Sequence, residues 1–99
     1  MQIDFGPGKD ATNLSKHGLS LAAAAELSWD AAFVLIDDRA DYGEVRMVAF
    51  VPIGDVLCFV AFVDRESTSR ITGLRRANRR EVNHYGKAIK EDQPEDADA

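Results

Sequence analysis

Val56-Leu57-Cys58-Phe59-Val60-Ala61-Phe62-Val63 is the stretch on which the fold turns. Its eight residues are apolar without alternation and rich in β-branched and aromatic types. That pattern fits a central strand covered on both faces, while periodicity alone leaves a buried helix open. The flanks favour the strand. Pro52 and Gly54-Asp55 mark a turn on one side, and the polar run Asp64 to Thr68 marks another. Beyond those turns stand two more strand-like runs, Arg46 to Val51 and Ser69 to Leu74. Further out, Phe33-Val34-Leu35-Ile36 is a compact β-favouring run, and Met1 to Phe5 reads as a short first strand stopped by Gly6-Pro7-Gly8. Connections this short favour antiparallel neighbours, because parallel pairs need long crossovers.

Helical signals fill the gaps between these strands. From Lys9 to His17, Ala11 and Leu14 are three apart, and Gly18 can adopt the left-handed conformation that closes a helix. Ser20 can cap a second helix, because Leu21 to Leu27 has high helix propensity, and that helix is expected to reach about Trp29. The last helix is the best marked. Asn78 can cap its start, Glu81 three residues on can reach back, and Val82, Tyr85 and Ile89 form its apolar stripe. The expected class is α+β, a small antiparallel sheet of about five strands with two N-terminal helices and one C-terminal helix.

The 99-residue chain carries a formal charge of −5, which taken whole argues against nucleic acid. The average conceals a division. Residues 1–64 hold four bases against ten acids, residues 65–90 hold eight bases against two, and the last nine hold five acids and no base. That end, EDQPEDADA, has no aromatic or β-branched residue and is expected to be a disordered tail, 91–99, on a single domain spanning 1–90. The domain is then neutral, with a basic segment over its fifth strand and last helix. Cys58 is the one cysteine, so no internal disulfide or cysteine zinc cage is possible, and its apolar setting points to packing. The N-terminus lacks a signal-peptide pattern, and no apolar run approaches the roughly 20 residues that span a bilayer. The expected location is the cytoplasm.

Several short motifs occur in order: Asn13-Leu14-Ser15-Lys16-His17-Gly18; Asp38 with Tyr42-Gly43-Glu44 and Arg46; Arg70-Ile71; then Arg75-Arg76-Ala77, Arg79-Arg80-Glu81 and Tyr85. Together, from about Ile3 to Tyr85, they resemble the BrnT-type toxins of bacterial type II toxin–antitoxin systems. The resemblance implies a RelE-like fold, a small ribonuclease that inhibits translation, and a BrnA-like antitoxin with a ribbon-helix-helix DNA-binding domain. That antitoxin would block the toxin and, with it, repress their operon. The chain departs from the family pattern at three places. Phe5-Gly6 replaces a usual Trp-Asp, Gly73 a usual serine, and Val63 a common threonine.

RNA cleavage without a metal or other cofactor needs a base for the 2′-hydroxyl, an acid for the leaving oxygen and cations for the phosphate. His17 suits either proton-transfer role, since its unperturbed pKa of about 6.5 lies near neutrality. Glu44 and Arg46 are two apart, so on a strand they share a face, and a carboxylate base beside a guanidinium becomes possible. Arg75 is the second candidate for phosphate charge, and Tyr85 a further catalytic candidate with its hydroxyl at the rim of the stripe. Lys16, Arg70, Arg76, Arg79 and Arg80 are the expected RNA contacts, and an acidic antitoxin would suit the same arginines. Which group is acid and which base stays open. The alternative to an enzyme is a catalytically weak or inactive module that holds a DNA-binding antitoxin and acts as co-repressor. Asp37, Asp38, Asp41 and Glu44 lack the spacing of a calcium loop, and no phosphate-cradling glycine loop or zinc spacing is present.

Overall fold

The computed structural model describes residues 2–38 and 43–92. Asp41 and Tyr42 of the turn motif lie outside the described residues, as does 93–99 of the expected tail. The chain runs β1 (Ile3–Asp4), α1 (Pro7–His17), two 3₁₀ turns (Leu21–Glu26 and Trp29–Ala31), β2 (Phe33–Asp37), β3 (Arg46–Ile53), β4 (Val56–Arg65), β5 (Thr68–Arg76) and α2 (Arg79–Asp92). The five strands form one sheet in the order β1-β5-β4-β3-β2.

The α+β class is as expected, but the sheet is mixed. β2 through β5 pair antiparallel in sequence order, whereas β1 lies parallel to β5, with Ile3 beside Ser69 and Asp4 beside Arg70. Short connections govern only strands adjacent in sequence. Between β1 and β5 the whole intervening chain serves as the long crossover that a parallel pair requires.

The second N-terminal helix is also a correction. Leu21–Glu26 is a 3₁₀ turn despite its alanines, and its burial explains why. Leu21, Ala24 and Leu27 are buried at a spacing of three, which a three-residue turn places on one line towards the sheet. Asp10 Oδ1 ties this turn to α1 by accepting from Ser20 Oγ at 2.9 Å and Leu21 N at 2.7 Å. Trp29 then anchors the following turn, donating from Nε1 to Ala24 O at 2.7 Å and meeting the Phe62 ring edge-on at 5.5 Å.

One face of the sheet carries the core. Ala49 and Val51 of β3, Cys58, Val60 and Phe62 of β4, and Ile71 and Leu74 of β5 pack beneath Leu21, Ala24 and Leu27. The apolar run 56–63 is therefore the central strand it promised to be. Burial pushes the Cys58 thiol up, against a smaller opposing effect of Arg76, so it stays protonated and serves as packing. Between Ala61 and Phe62 the register with β5 slips by one residue, leaving Thr72 as the extra residue of a bulge.

α1 begins at Pro7, two residues earlier than expected, and closes at Gly18, whose φ of 71° and N–H bond to Leu14 O make the left-handed cap. It does not seat through Ala11 and Leu14. Leu14 is exposed, and the buried residue of α1 is Asn13. The Asn13 amide donates to Leu74 O at 2.7 Å, and its Oδ1 accepts from Leu74 N at 3.0 Å. Where two-residue β1 ends, this side chain takes over as a substitute strand and satisfies both backbone groups of Leu74.

Candidate functional site: a cationic groove beside the first helix

Two neighbouring cavities open between α1 and the sheet face opposite the core. The first, about 510 Å³, is lined by Gly8, Lys9, Thr12, Asn13, Lys16 and His17 of α1, with Thr72 and Gly73 of β5. The second, about 270 Å³, is lined by Gly6 and Lys9, by Glu44 in the bend before β3 and Arg46, the first residue of β3, and by Val63, Arg65, Arg70, Ile71 and Thr72; Glu44 and Arg46 therefore do not share a strand as their spacing suggested. Lys9 and Thr72 border both, so the cavities are two lobes of one groove.

Local structure explains this gathering. Lys9, Thr12 or Asn13, and Lys16 recur at three to four residues, which is one face of a helix. The Asn13 bonds turn that face along the edge of β5. Arg70 and Val63 are paired across β4 and β5, and Arg46 stands opposite Asp37 at the start of β3. The bulge at Thr72 points its hydroxyl towards Arg46, whose Nη2 lies 3.4 Å away. His17 and Lys16 close α1 at the open end of the first lobe, where helix-terminal carbonyls favour positive charge.

Charges in the groove are partly committed. Glu44 accepts from Arg65 Nη2 at 3.1 Å, not from Arg46, and Arg70 lies 3.4 Å from Asp4. These pairs are exposed and contribute little to stability. Among the described residues no ion pair engages Lys9 or Lys16. No three His, Cys, Asp or Glu side chains among the described residues converge as metal ligands would.

Of the residues singled out from sequence, His17, Lys16, Glu44, Arg46 and Arg70 line the groove. Arg75, Arg76, Arg79, Arg80 and Tyr85 line neither lobe. Arg75 follows Gly73 by two residues on β5 but is turned to a bidentate pair with Glu81, both bonds 2.8 Å, with its guanidinium 4.2 Å from the centre of the Phe59 ring. Glu81 also accepts from Asn78 N, while Glu81 N donates to Asn78 Oδ1, completing the expected capping box. The hydrogen bonds from Arg75 hold the Glu81 carboxyl below its ordinary range, outweighing the opposite pull of burial. The Tyr85 hydroxyl donates to Ala31 O at 2.8 Å, tying α2 to the turn before β2. Val82, expected on the apolar stripe, is exposed. His84 sets its ring edge against Phe33 and Phe50.

Sequence reading missed Lys9, Thr12, Arg65 and Thr72. The Lys9–Lys16 spacing was the available signal for the first two; Thr72 becomes visible only through the bulge. All three departures from the family pattern fall in the groove: Gly6 and Val63 line the second lobe and Gly73 the first. A Cβ at Gly6 would stand 3.0 Å from the end of Arg70, and one at Gly73 would meet only Ala61 Cβ at 3.7 Å.

No curated protein matches the chain. No helix among the described residues is long and apolar enough to cross a membrane. A family model, described as the ribonuclease toxin BrnT of type II toxin–antitoxin systems, matches residues 5–81, a span that takes in α1, both lobes of the groove and the capping box of α2. The chain therefore belongs to the BrnT family of ribonuclease toxins.

Proposed function

We propose that this toxin takes RNA in the groove beside α1 and cleaves it without a metal ion. The observation that carries the reading is that Lys9 and Thr72 join the lobe of His17 to the lobe of Glu44 and Arg46. A base removes the proton of a 2′-hydroxyl, the 2′-oxygen bonds to phosphorus, and the bond to the 5′-oxygen breaks. The products are a 2′,3′-cyclic phosphate and a 5′-hydroxyl that takes its proton from the acid. His17 and Glu44 share the two proton-transfer roles. Arg46, Arg70 and Lys9 balance the charge that grows on the phosphate, and Lys16 holds the adjoining backbone. Arg75 and Tyr85 are given structural work in this reading, and Arg76, Arg79 and Arg80 lie outside the groove.

The reading carries with it kinship to RelE-like ribonucleases, action in the bacterial cytoplasm, inhibition of translation, and neutralisation by a BrnA-like ribbon-helix-helix antitoxin. Expression without a partner tests it. Growth arrest with RNA loss, relieved by His17→Ala in a folded protein, is expected; harmless expression of soluble protein contradicts it. A second reading has a specific observation behind it. Gly6, Val63 and Gly73 line the groove where the family pattern has a carboxylate and two hydroxyls, which favours a slow or inactive homologue that holds its antitoxin and represses DNA through it. In that case RNA stays intact while the antitoxin still binds.

A further inference from the structure

Ile71 and Leu74 both belong to the core, at 0% and 2% exposure, although they stand three apart on β5. In a regular strand residues three apart face opposite sides, so one residue between these two has to be extra. The register shows which one. Phe62 pairs with Ile71 and Ala61 with Gly73, and Thr72 is left over. A bulged residue leaves the ladder and turns its side chain to a new direction. Here that direction is the junction of the two lobes, both of which Thr72 lines.

Arg46 comes to the same junction from the far side of β4. Neighbouring strands lie about 4.8 Å apart, so a side chain rooted on β3 must cross roughly 10 Å to reach β5. There Arg46 Nη2 stands 3.4 Å from Thr72 Oγ1. Among the described residues this is the only hydrogen bond of that hydroxyl, which leaves its own proton for a ligand in the groove. The contact is long and half-buried, so it directs the guanidinium rather than stabilising the fold.

We propose that Thr72 is a positioning residue for RNA cleavage, its hydroxyl accepting from Arg46 and so aiming the guanidinium at the junction where the lobe of His17 meets the lobe of Glu44. This role rests on the reading that RNA is cut in the groove. An arginine side chain samples many rotamers, and a cation lowers the barrier only when it is already aimed at the place where negative charge develops. Threonine suits the task. Its branch at Cβ holds χ1 stiffly, and its hydroxyl is neutral. Loss of the hydroxyl therefore slows the chemical step and leaves RNA affinity, which answers to charge, as it was.

Single-turnover cleavage of a short single-stranded RNA of mixed sequence by the full chain, with affinity measured over a salt series, tests this. Thr72→Val keeps the shape of the side chain and removes the hydroxyl. Its cleavage rate constant is expected to fall about 10–100-fold, with affinity, salt slope and melting temperature unchanged. Thr72→Ser keeps the hydroxyl and should cleave at close to the full rate; a residue that merely filled the bulge would rank the two variants the other way. In an Arg46→Gln background Thr72→Val should cost nothing further, because it acts through that guanidinium. Cleavage by Thr72→Val at the unaltered rate overturns the proposal, as does a loss carried by affinity alone, or losses that multiply in the double variant. In each of those cases the unaltered chain still cleaves, and the RNA reading stands. An unaltered chain that leaves the RNA intact overturns that reading and this role together.

Discussion

The two helices hold their positive charge in opposite ways. On α2 and the strand leading into it, five arginines fall within eleven residues, a density visible in the sequence itself. There Arg75 is clamped by Glu81 and laid over Phe59, and Asn78, Glu81 and Tyr85 fasten the helix down. On α1 only Lys9, Lys16 and His17 are basic, yet they line a cavity, and no ion pair among the described residues engages the two lysines. Density of charge in sequence marks a basic surface. A concave wall with uncommitted cations marks a place for a ligand, and only the fold distinguishes them.

Variants on the two sides should separate sharply. The largest effect is expected at His17→Ala, where RNA cleavage should fall about 10²–10⁴-fold with the melting temperature unchanged, as one acid or base is removed from an exposed helix end. An equal loss in Tyr85→Phe would break the comparison. Next comes Asn13→Ala, which strands the N–H and C=O of Leu74 and should cost about 2–4 kcal/mol in denaturant unfolding. Glu81→Gln is expected to cost about 1–2 kcal/mol by weakening the capping box and its arginine fork, with cleavage at neutral pH unchanged. Its pH dependence has a definite sign. The Glu81 carboxyl is held below its ordinary 4.5, so its contribution is present above that value and is lost as pH falls through the depressed one. Glu81→Gln should flatten acid unfolding over that window. The smallest structural effect is expected at Gly73→Ser, whose Cβ makes only an ordinary contact. Stability should change by less than about 0.5 kcal/mol. A rise in cleavage would tie the missing hydroxyl to the groove's chemistry.

Much of the fold was legible, and the exceptions have identifiable causes. Turn residues and β-rich runs placed all five strands to within two residues, and the Asn78–Glu81 pair announced its own cap. The parallel pairing of β1 was hidden because its partner lies more than sixty residues away, where connection length carries no information. Leu21 to Glu26 misled because alanine propensity is a local quantity, while the spacing of Leu21, Ala24 and Leu27 answers to the core. In the groove, His17, Glu44 and Arg46 were legible through the motifs they share with a family. Lys9 is hidden as one lysine among polar neighbours, and Thr72 acquires its place only from a register slip between two strands.

The most direct test of the groove is the salt dependence of RNA binding in two double variants of the full chain, Lys9→Gln with Lys16→Gln and Arg79→Gln with Arg80→Gln. Removing one phosphate-binding cation should reduce the slope of log K against log salt by about 0.7 for a single strand. The α1 pair is predicted to weaken binding and flatten the slope by roughly twice that amount, leaving the α2 pair close to the unaltered protein. A slope that flattens in the α2 variant and not in the α1 variant would contradict the account and move the RNA to the other helix.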